Sequence, residues 1–284
     1  MSLSAPTTAA AAAAAAVAKT SVAEALSAVK TKIQASAERL GRPAPRLVAV
    51  SKTKPVSMLM EAFEAGQRHF GENYVQELVE KAPNMPRYVK WHFIGNLQSN
   101  KVKHIVSIPN LYMVESVHSV KIANTLNRLL PDTREEKLRV MVQVNTSGEE
   151  SKSGVEPSGC LELVEHVMAN CTKLELVGLM TIGRLGDVSP ECFQLLAKCR
   201  DDVMEKHATS FQDGLELSMG MSGDFELAMA HGSTNVRVGS TIFGARSYPA
   251  KAAPAPPASA DASAVPTPPA EEQQQKEQES TNSK

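Results

Sequence analysis

The segment Leu47-Val48-Ala49-Val50-Ser51-Lys52-Thr53-Lys54-Pro55 shows the strand-then-helix unit from which the fold can be predicted. Its apolar start predicts a short strand, whose side chains alternate between two faces. Because both faces are apolar, the strand should be covered on both sides, as in a parallel sheet. Pro55 ends the strand and suits the first turn of a helix. Lys52 therefore falls at the carboxyl end of a buried strand, where α/β folds carry their chemistry. A solvated lysine at a strand end is the alternative.

The strand-then-helix unit repeats outward from this stretch. Helical spacing of apolar residues, as at Val22, Leu26, Val29 and Ile33, predicts amphipathic helices around further strands. These strands are expected at 69–73, 91–95, 111–117, 140–145, 176–182, 215–220 and 236–239. Eight strands in strict alternation with helices predict a (β/α)8 TIM barrel in a single domain. An open, doubly wound sheet is the alternative, but no G-x-G-x-x-G follows the first strand.

Both ends of the chain differ in composition from its body. Residues 1–19 are mostly alanine and contain no acidic residue, which favours a disordered tail over a secretory signal, with an organellar transit peptide as the alternative. Residues 249–284 contain seven of the 17 prolines and no Leu, Ile, Met or Phe, so they should also be disordered. The folded body is therefore predicted to span residues 20–248.

Charge and cysteine usage exclude several classes of function. The 284 residues carry 30 Lys+Arg against 31 Asp+Glu, so no basic surface for nucleic acid is expected. The four cysteines form no CxxC pair and do not cluster with histidines, which argues against a metal site or a disulfide framework and for a reducing compartment. No apolar run is long enough to cross a bilayer. The cytoplasm is the expected location, with a plastid or mitochondrion as the alternative.

The carboxyl ends of all strands meet at one mouth of a barrel, so the residues there are candidates for a site. Loops after the last two strands often bind phosphate through backbone N–H groups. Gly239 would let the backbone approach an anion closely, and Ser240, Thr241 and Ser218 could add hydroxyl donors. Gly-Ser-Thr is also a common loop composition, which is the alternative.

Arg237 lies two residues before Gly239 and should point into the barrel. A buried guanidinium requires an acceptor, which could be a carboxylate such as Glu216 or an atom of a ligand. A structural salt bridge is the alternative. A barrel-end lysine, a phosphate-binding loop and an inward arginine together meet the requirements of pyridoxal 5′-phosphate (PLP), in which a lysine amine forms a Schiff base with the aldehyde.

Seven segments of the body carry a resemblance to a known family. They are VAVSKTKP (48–55), FGENYVQE (70–77), WHFIGNLQSNK (91–101), QVNTSGEESKSG (143–154), GLMTIG (178–183), ELSMGMS (216–222) and GSTNVRVGSTIFGAR (232–246). In this order they resemble the pyridoxal phosphate homeostasis protein family, the YggS or PROSC type of PLP-binding protein. The resemblance covers about residues 20–248 and neither tail.

The resemblance implies a barrel like the N-terminal domain of alanine racemase, fold type III among PLP proteins, without a second β domain. It implies that Lys52 is the Schiff-base lysine and that its neighbour Lys54 is not. Arg237 is similar to the residue that faces the pyridine nitrogen, and Asn73 to a contact near the ring. Ser218, Gly239, Ser240 and Thr241 resemble the residues around the phosphate.

The resemblance and the residues together favour a protein that holds PLP rather than an enzyme. An arginine is always protonated, so the pyridine nitrogen facing it should stay unprotonated, and the ring is then a weaker electron sink. Racemases of this fold use a second base, a tyrosine from a partner subunit, and this chain has no second domain to pair with another copy. We expect a monomer that buffers PLP and supplies it to PLP-dependent apoenzymes. The alternatives are a monomeric amino-acid racemase or lyase, and a scaffold whose proline-rich tail recruits partners.

Overall fold

The chain forms a closed barrel of eight parallel strands whose neighbours follow chain order. The computed structural model describes residues 20–149, 152–184 and 189–245. The barrel closes where the first strand pairs in parallel with the last, with Val48 opposite Arg237 and Ala49 opposite Val238. The predicted (β/α)8 barrel is therefore confirmed, and the open doubly wound sheet is excluded because it has no such pairing. Both predicted tails lie outside the described residues.

The strands are short and the helices follow them in alternation. The strands are β1 (Arg46–Val50), β2 (His69–Glu72), β3 (Lys90–Phe93), β4 (Leu111–Val117), β5 (Leu138–Gln143), β6 (Leu174–Met180), β7 (Glu216–Ser218) and β8 (Asn235–Val238). The helices are α1 (Val22–Leu40), α2 (Val56–Glu64), α3 (Val75–Lys81), α4 (Val102–Val106), α5 (Val120–Leu129), α6 (Cys160–Asn170), α7 (Glu191–His207), α8 (Phe225–Ala230) and α9 (Ser240–Phe243). Single 3₁₀ turns cover Ala82–Asn84, Ser99–Lys101, Pro157–Gly159 and Ala208–Ser210.

Helix α1 precedes the barrel and packs on its outside, as its apolar spacing predicts. The four residues of the predicted stripe are all buried. Ser21 caps the first turn and exchanges hydrogen bonds with Glu24, and Gly41 ends the helix in the left-handed region at φ 61°. In α6 the buried residues are Cys160, Leu163, Val164 and Val167, whereas Met168 is 37% exposed.

The two faces of the sheet have different chemistry. Large apolar side chains such as Phe70, Trp91 and Phe93 belong to the main core, between the sheet and the helices. The alternate positions face the barrel interior, and many of them are polar. His92, Glu115, Ser218, Asn235 and Arg237 are all buried there, beside a separate cluster of the methionines Met113, Met141 and Met180. A barrel interior filled by charged and hydrogen-bonding groups needs a network that satisfies them.

Candidate functional site

A cavity of about 240 Å³ opens at the carboxyl end of the strands. Its walls come from the segments that follow β1, β2, β3, β6, β7 and β8. The lining residues are Val50, Lys52, Lys54, Asn73, Ile94, Ile182, Met221, Ser222, Gly223, Arg237, Gly239, Ser240 and Gly244. Three of these side chains are cationic, and none of the described ones is acidic. The cavity therefore suits a small anionic ligand.

Lys52 lies in a strained turn directly after β1. The turn is closed by a hydrogen bond of 3.1 Å from the Lys54 N–H to the Ser51 carbonyl. Its third residue, Thr53, has φ 60°, the only positive value among the described non-glycine residues. A β-branched residue is rare in this region, and the strain is of order 1–3 kcal/mol. Such strain persists only where surrounding contacts hold it in place.

Those contacts come from a buried cluster of charges behind the turn. The Lys81 ammonium donates to the Ser51 carbonyl at 2.8 Å, to Glu72 Oε1 at 2.7 Å and to Glu77 Oε2 at 2.6 Å. Glu77 in turn accepts from the Thr53 N–H at 2.8 Å, and the Ser51 hydroxyl donates to Glu72 at 2.6 Å. We call Glu72, Glu77 and Lys81 the turn clamp. It fixes both sides of Lys52 without touching the cavity.

Burial raises the pKa of Glu72, while the charge and hydrogen bond of Lys81 lower it. Both side chains are almost fully buried, so each needs the other as a partner. The turn clamp was hard to predict from the sequence, because Glu72 and Glu77 in FGENYVQE look like ordinary loop and helix residues. The spacing of Glu77 and Lys81, four residues apart on a helix, was the available signal.

Lys54, the neighbouring lysine, points to a different part of the site. Its ammonium donates to the Ala245 carbonyl at 2.5 Å, after α9. It therefore lies at the edge of the cavity and ties the β1 turn to the segment that follows β8.

Arg237 enters the cavity from the barrel interior and is only 4% exposed. Its guanidinium donates to the Ser218 hydroxyl at 2.6 Å and to the Thr181 carbonyl at 2.7 Å. The expectation that Glu216 could serve as its acceptor was wrong. Glu216 forms a bidentate pair with Arg46, at 2.5 and 2.9 Å, at the amino end of the strands. A guanidinium has five N–H donors, so these two contacts leave capacity for a further acceptor.

The loops after β7 and β8 form the opposite wall. The Gly239 N–H donates to the Ser222 hydroxyl at 3.2 Å. A Cβ added at Gly239 would lie 3.2 Å from the Val50 carbonyl oxygen, so the glycine allows this backbone to pack against β1. Ser240 follows at the start of α9 and is exposed to the cavity. Two serine hydroxyls thus lie at this wall of the cavity.

Asn73 has a buried side-chain oxygen with no hydrogen-bond partner among the described residues. Its backbone is held by Gly95, where an added Cβ would lie 1.8 Å from the Asn73 carbonyl oxygen. A buried amide without a partner is costly, and this one lines the cavity. It is a polar group positioned for a ligand.

The structure brings five of the seven predicted site residues together. Lys52, Asn73, Arg237, Gly239 and Ser240 line one cavity. The other two do not appear among its described lining residues.

Ser218 is fully buried behind Arg237, where its hydroxyl donates to Glu115 at 2.5 Å and accepts from Arg237 and Asn235. Thr241 is exposed on α9. The hydroxyl that does reach the cavity is that of Ser222, which stands in the same SMGMS segment as Ser218.

Comparison with known proteins identifies the class to which this fold and cavity belong. The family model for the N-terminal domain of alanine racemase matches residues 25–247. Alanine racemase of Clostridium difficile has the same fold at 16% identity, with a TM-score of 0.55 over 77% of this chain and 56% of that one.

Closer relatives narrow the class. The human pyridoxal phosphate homeostasis protein is 52% identical over 246 residues, covering 81% of this chain and 88% of the human protein. The structure of PipY from Synechococcus elongatus PCC7942, which was solved with PLP bound, is 32% identical with a TM-score of 0.66 and covers 78% of this chain and all of PipY (100%). The chain therefore belongs to the pyridoxal phosphate homeostasis protein family.

Two general properties complete the description. No helix in the described ranges is long and apolar enough to cross a membrane. The four cysteines are buried, and none of them forms a disulfide.

Proposed function

We propose that this protein binds PLP in the cavity at the carboxyl mouth of the barrel, holds it reversibly and supplies it to PLP-dependent apoenzymes. The observation that carries the proposal is the convergence of Lys52, Arg237 and Gly239 on one small cavity. The relatives named above support the cofactor, since one of them was solved with PLP bound.

The residues of the cavity fit the chemistry of PLP. Its aldehyde requires an amine, its phosphate requires N–H and hydroxyl donors, and its ring carries polar substituents. The unpartnered oxygen of Asn73 and the hydroxyls of Ser222 and Ser240 are features that a bound group of this kind would use. The cationic lining matches the negative charge of the phosphate.

Each wall would hold a different part of the cofactor. Lys52 would hold the aldehyde carbon covalently, because it is the amine carried by the clamped turn. Ser222, Gly239 and Ser240 would hold the phosphate, and Arg237 would face the ring nitrogen. When bound, PLP supplies an electrophilic aldehyde conjugated to a ring that accepts electrons. Arg237 can only donate a hydrogen bond, because a guanidinium stays protonated even though burial lowers its pKa.

The same lining supports a holder over an amino-acid racemase or lyase. Racemisation needs acid–base groups on both sides of the substrate carbon. No tyrosine, histidine or carboxylate lines the described part of the cavity. Tyr74 and Tyr88 are exposed, and Tyr112 packs against Arg139 and His69 at the amino end of the strands. Tyr248 lies outside the described residues.

The test has two arms run on the same purified protein. In the first, the PLP-loaded protein is mixed with an apo form of a PLP-dependent enzyme, and recovery of that enzyme's activity is followed. In the second, L-amino acids are incubated with the protein for hours and analysed by chiral chromatography. We expect transfer without D-enantiomer. Formation of D-enantiomer at ordinary enzymatic rates, or no bound PLP at all, would contradict the proposal.

Assembly and location complete the proposal. We propose a monomer, because the site is built from a single barrel. We propose the cytoplasm as its location, because the four cysteines are free, as is usual in a reducing compartment. Light scattering of the purified protein tests the first statement, and imaging of the full chain with and without residues 1–19 tests the second, with import into a plastid or mitochondrion as the contrary result.

A further inference from the structure

A continuous chain of polar side chains crosses the barrel interior behind Arg237. Ser218 joins the Arg237 guanidinium to Glu115, with oxygen contacts of 2.6 and 2.5 Å. The other oxygen of Glu115 lies 2.5 Å from Nδ1 of His92. Nε2 of His92 lies 2.8 Å from Nδ1 of His69, which is half-buried near the amino end of the strands. The chain therefore links the cavity to the opposite mouth of the barrel.

The numbers of donors and acceptors on these side chains determine where most of the protons in the network lie. Burial would raise the pKa of Glu115, but His92 and Arg237 outweigh it and hold the pKa below its usual range. Glu115 is thus a carboxylate, which only accepts, so Nδ1 of His92 donates to it. Burial and the charges of His92, Arg46 and Lys90 lower the pKa of His69 to about 3, which keeps its ring neutral.

The bridge uses the whole capacity of Ser218. Its hydroxyl donates once, to Glu115, and accepts from Arg237 and from the Asn235 amide at 3.0 Å. Asn235 also approaches both Glu115 oxygens, at 3.4 Å each. The geometry of the guanidinium is therefore set from behind by fixed groups, and not by contacts within the cavity.

We propose that Glu115 is the positioning residue of the cofactor site. Its buried negative charge orients the Arg237 guanidinium through Ser218 and partly offsets the positive charge that the ring nitrogen of bound PLP would experience. His92 and His69 hold Glu115 in turn. This inference rests on the proposed function, since it concerns the field that bound PLP experiences. It assigns Glu115 no direct contact with the cofactor.

Other charged groups also face Arg237 and the cavity. Asp224, before α8, acts on Arg237 through its charge, and Arg46 is influenced by Glu115. Lys52 and Lys54 line the same cavity. Of the two described carboxylates whose charge acts on Arg237, Glu115 is the one joined to it by a hydrogen-bonded side chain.

The test compares Glu115→Gln with Glu216→Gln. Both changes remove a carboxylate that serves an arginine, but Glu216 pairs with Arg46 away from the cavity. Each protein is loaded with PLP, its absorption is recorded across pH, its Kd is measured by equilibrium dialysis, and the Tm of the unloaded protein is recorded.

Glu115→Gln removes a negative charge near the site and leaves the site more positive. We therefore expect this change to disfavour the protonated form of the bound cofactor. The pH midpoint of the absorption change should fall by about 0.5 unit or more. The Kd for PLP should rise about tenfold, the order seen when outer groups that orient a ligand-binding residue are removed. Glu216→Gln should leave both quantities as in the wild type.

A lower Tm with an unchanged midpoint and Kd in Glu115→Gln would overturn the proposal, because the role would then be structural only. If that variant does not fold, Ser218→Ala replaces it: both charges stay and the bridge is lost, and wild-type absorption and affinity would overturn the proposal equally. Failure of the proposed function looks different, since the wild type itself would then bind no PLP.

Discussion

The two walls of the cavity, the β1 turn and the loop after β8, are held in place by different kinds of contact. The β1 turn that carries Lys52 is strained at Thr53 and is held by buried charges of the turn clamp. The loop after β8 packs closely against β1 at Gly239 and is joined to the loop after β7 by the hydrogen bond from the Gly239 N–H to Ser222. A residue that forms a covalent bond must be aimed precisely, whereas an anion can be held by several weak donors. The difference indicates that the β1 wall should tolerate change far less than the β8 wall.

The largest expected effect is that of Lys52→Ala compared with Lys54→Ala. The first should abolish the adduct that borohydride traps, because the amine at the clamped turn is gone, and some non-covalent affinity should remain through the β8 wall. The second should keep the adduct, because Lys54 is engaged with the Ala245 carbonyl. Mass spectrometry after reduction measures both. An adduct of normal yield in Lys52→Ala would contradict the proposal that Lys52 forms the covalent bond.

The turn clamp should be the most stability-sensitive part of the site. Lys81→Met leaves two carboxylates without their ammonium, one of them fully buried. Removing one partner of a buried ion pair costs about 3–5 kcal/mol, which urea unfolding can measure. Lys198→Met is the matched control, because its pair with Asp202 is largely exposed and should matter by less than about 0.5 kcal/mol. Equal losses in the two variants would mean that the clamp adds nothing beyond a surface pair.

Gly239→Ala tests the β8 wall. The added Cβ would press on the Val50 carbonyl oxygen at 3.2 Å and move the loop away from β1. We expect the Kd for PLP to rise about tenfold, or ~1.4 kcal/mol, with the covalent adduct still formed. Gly159→Ala is the control, since its Cβ would press on the Val155 side chain at 3.0 Å, away from the cavity, and the variant should leave the Kd unchanged. Loss of the adduct in Gly239→Ala would show that this wall is as demanding as the other.

Controls aside, Thr53→Gly should have the smallest effect among these variants. It is the one variant that we expect to be more stable than the wild type. Glycine relieves the strain at φ 60° and removes a buried hydroxyl that has no partner among the described residues. These gains exceed the added freedom of the unfolded chain, so stability should increase by about 1 kcal/mol. Adduct formation should become slower, because Lys52 is aimed less well. A stabler variant with unchanged adduct kinetics would indicate that the strain has no part in positioning.

The sequence was sufficient for the barrel and for the place of Lys52 at its mouth. Strand alternation placed Lys52 at the mouth and Arg237 in the interior, because both predictions depend only on local period and chain order. The partners of Arg237 could not be found in this way. Glu115 and Ser218 lie on strands far apart in the chain, and their contact depends on the register of the closed barrel. The turn clamp was missed for the same reason, since Lys81 meets Ser51 only after folding.

Residues of one short segment were also hard to separate. Ser218 ends the seventh strand and Ser222 lies in the loop that follows it, and only the direction of each side chain decides which one reaches the cavity. Ser218 belongs to the strand and points to Glu115 in the interior, whereas Ser222 lies in the loop. Four positions of the chain thus separate a structural hydroxyl from a candidate ligand contact.

The most direct test of the account is to locate the lysine that PLP modifies. The wild-type protein is incubated with PLP, reduced with borohydride, digested and sequenced by mass spectrometry. We expect one dominant modified residue, Lys52, in the peptide that follows β1. Modification spread over surface lysines, or concentrated on Lys54 with Lys52 unmodified, would contradict it.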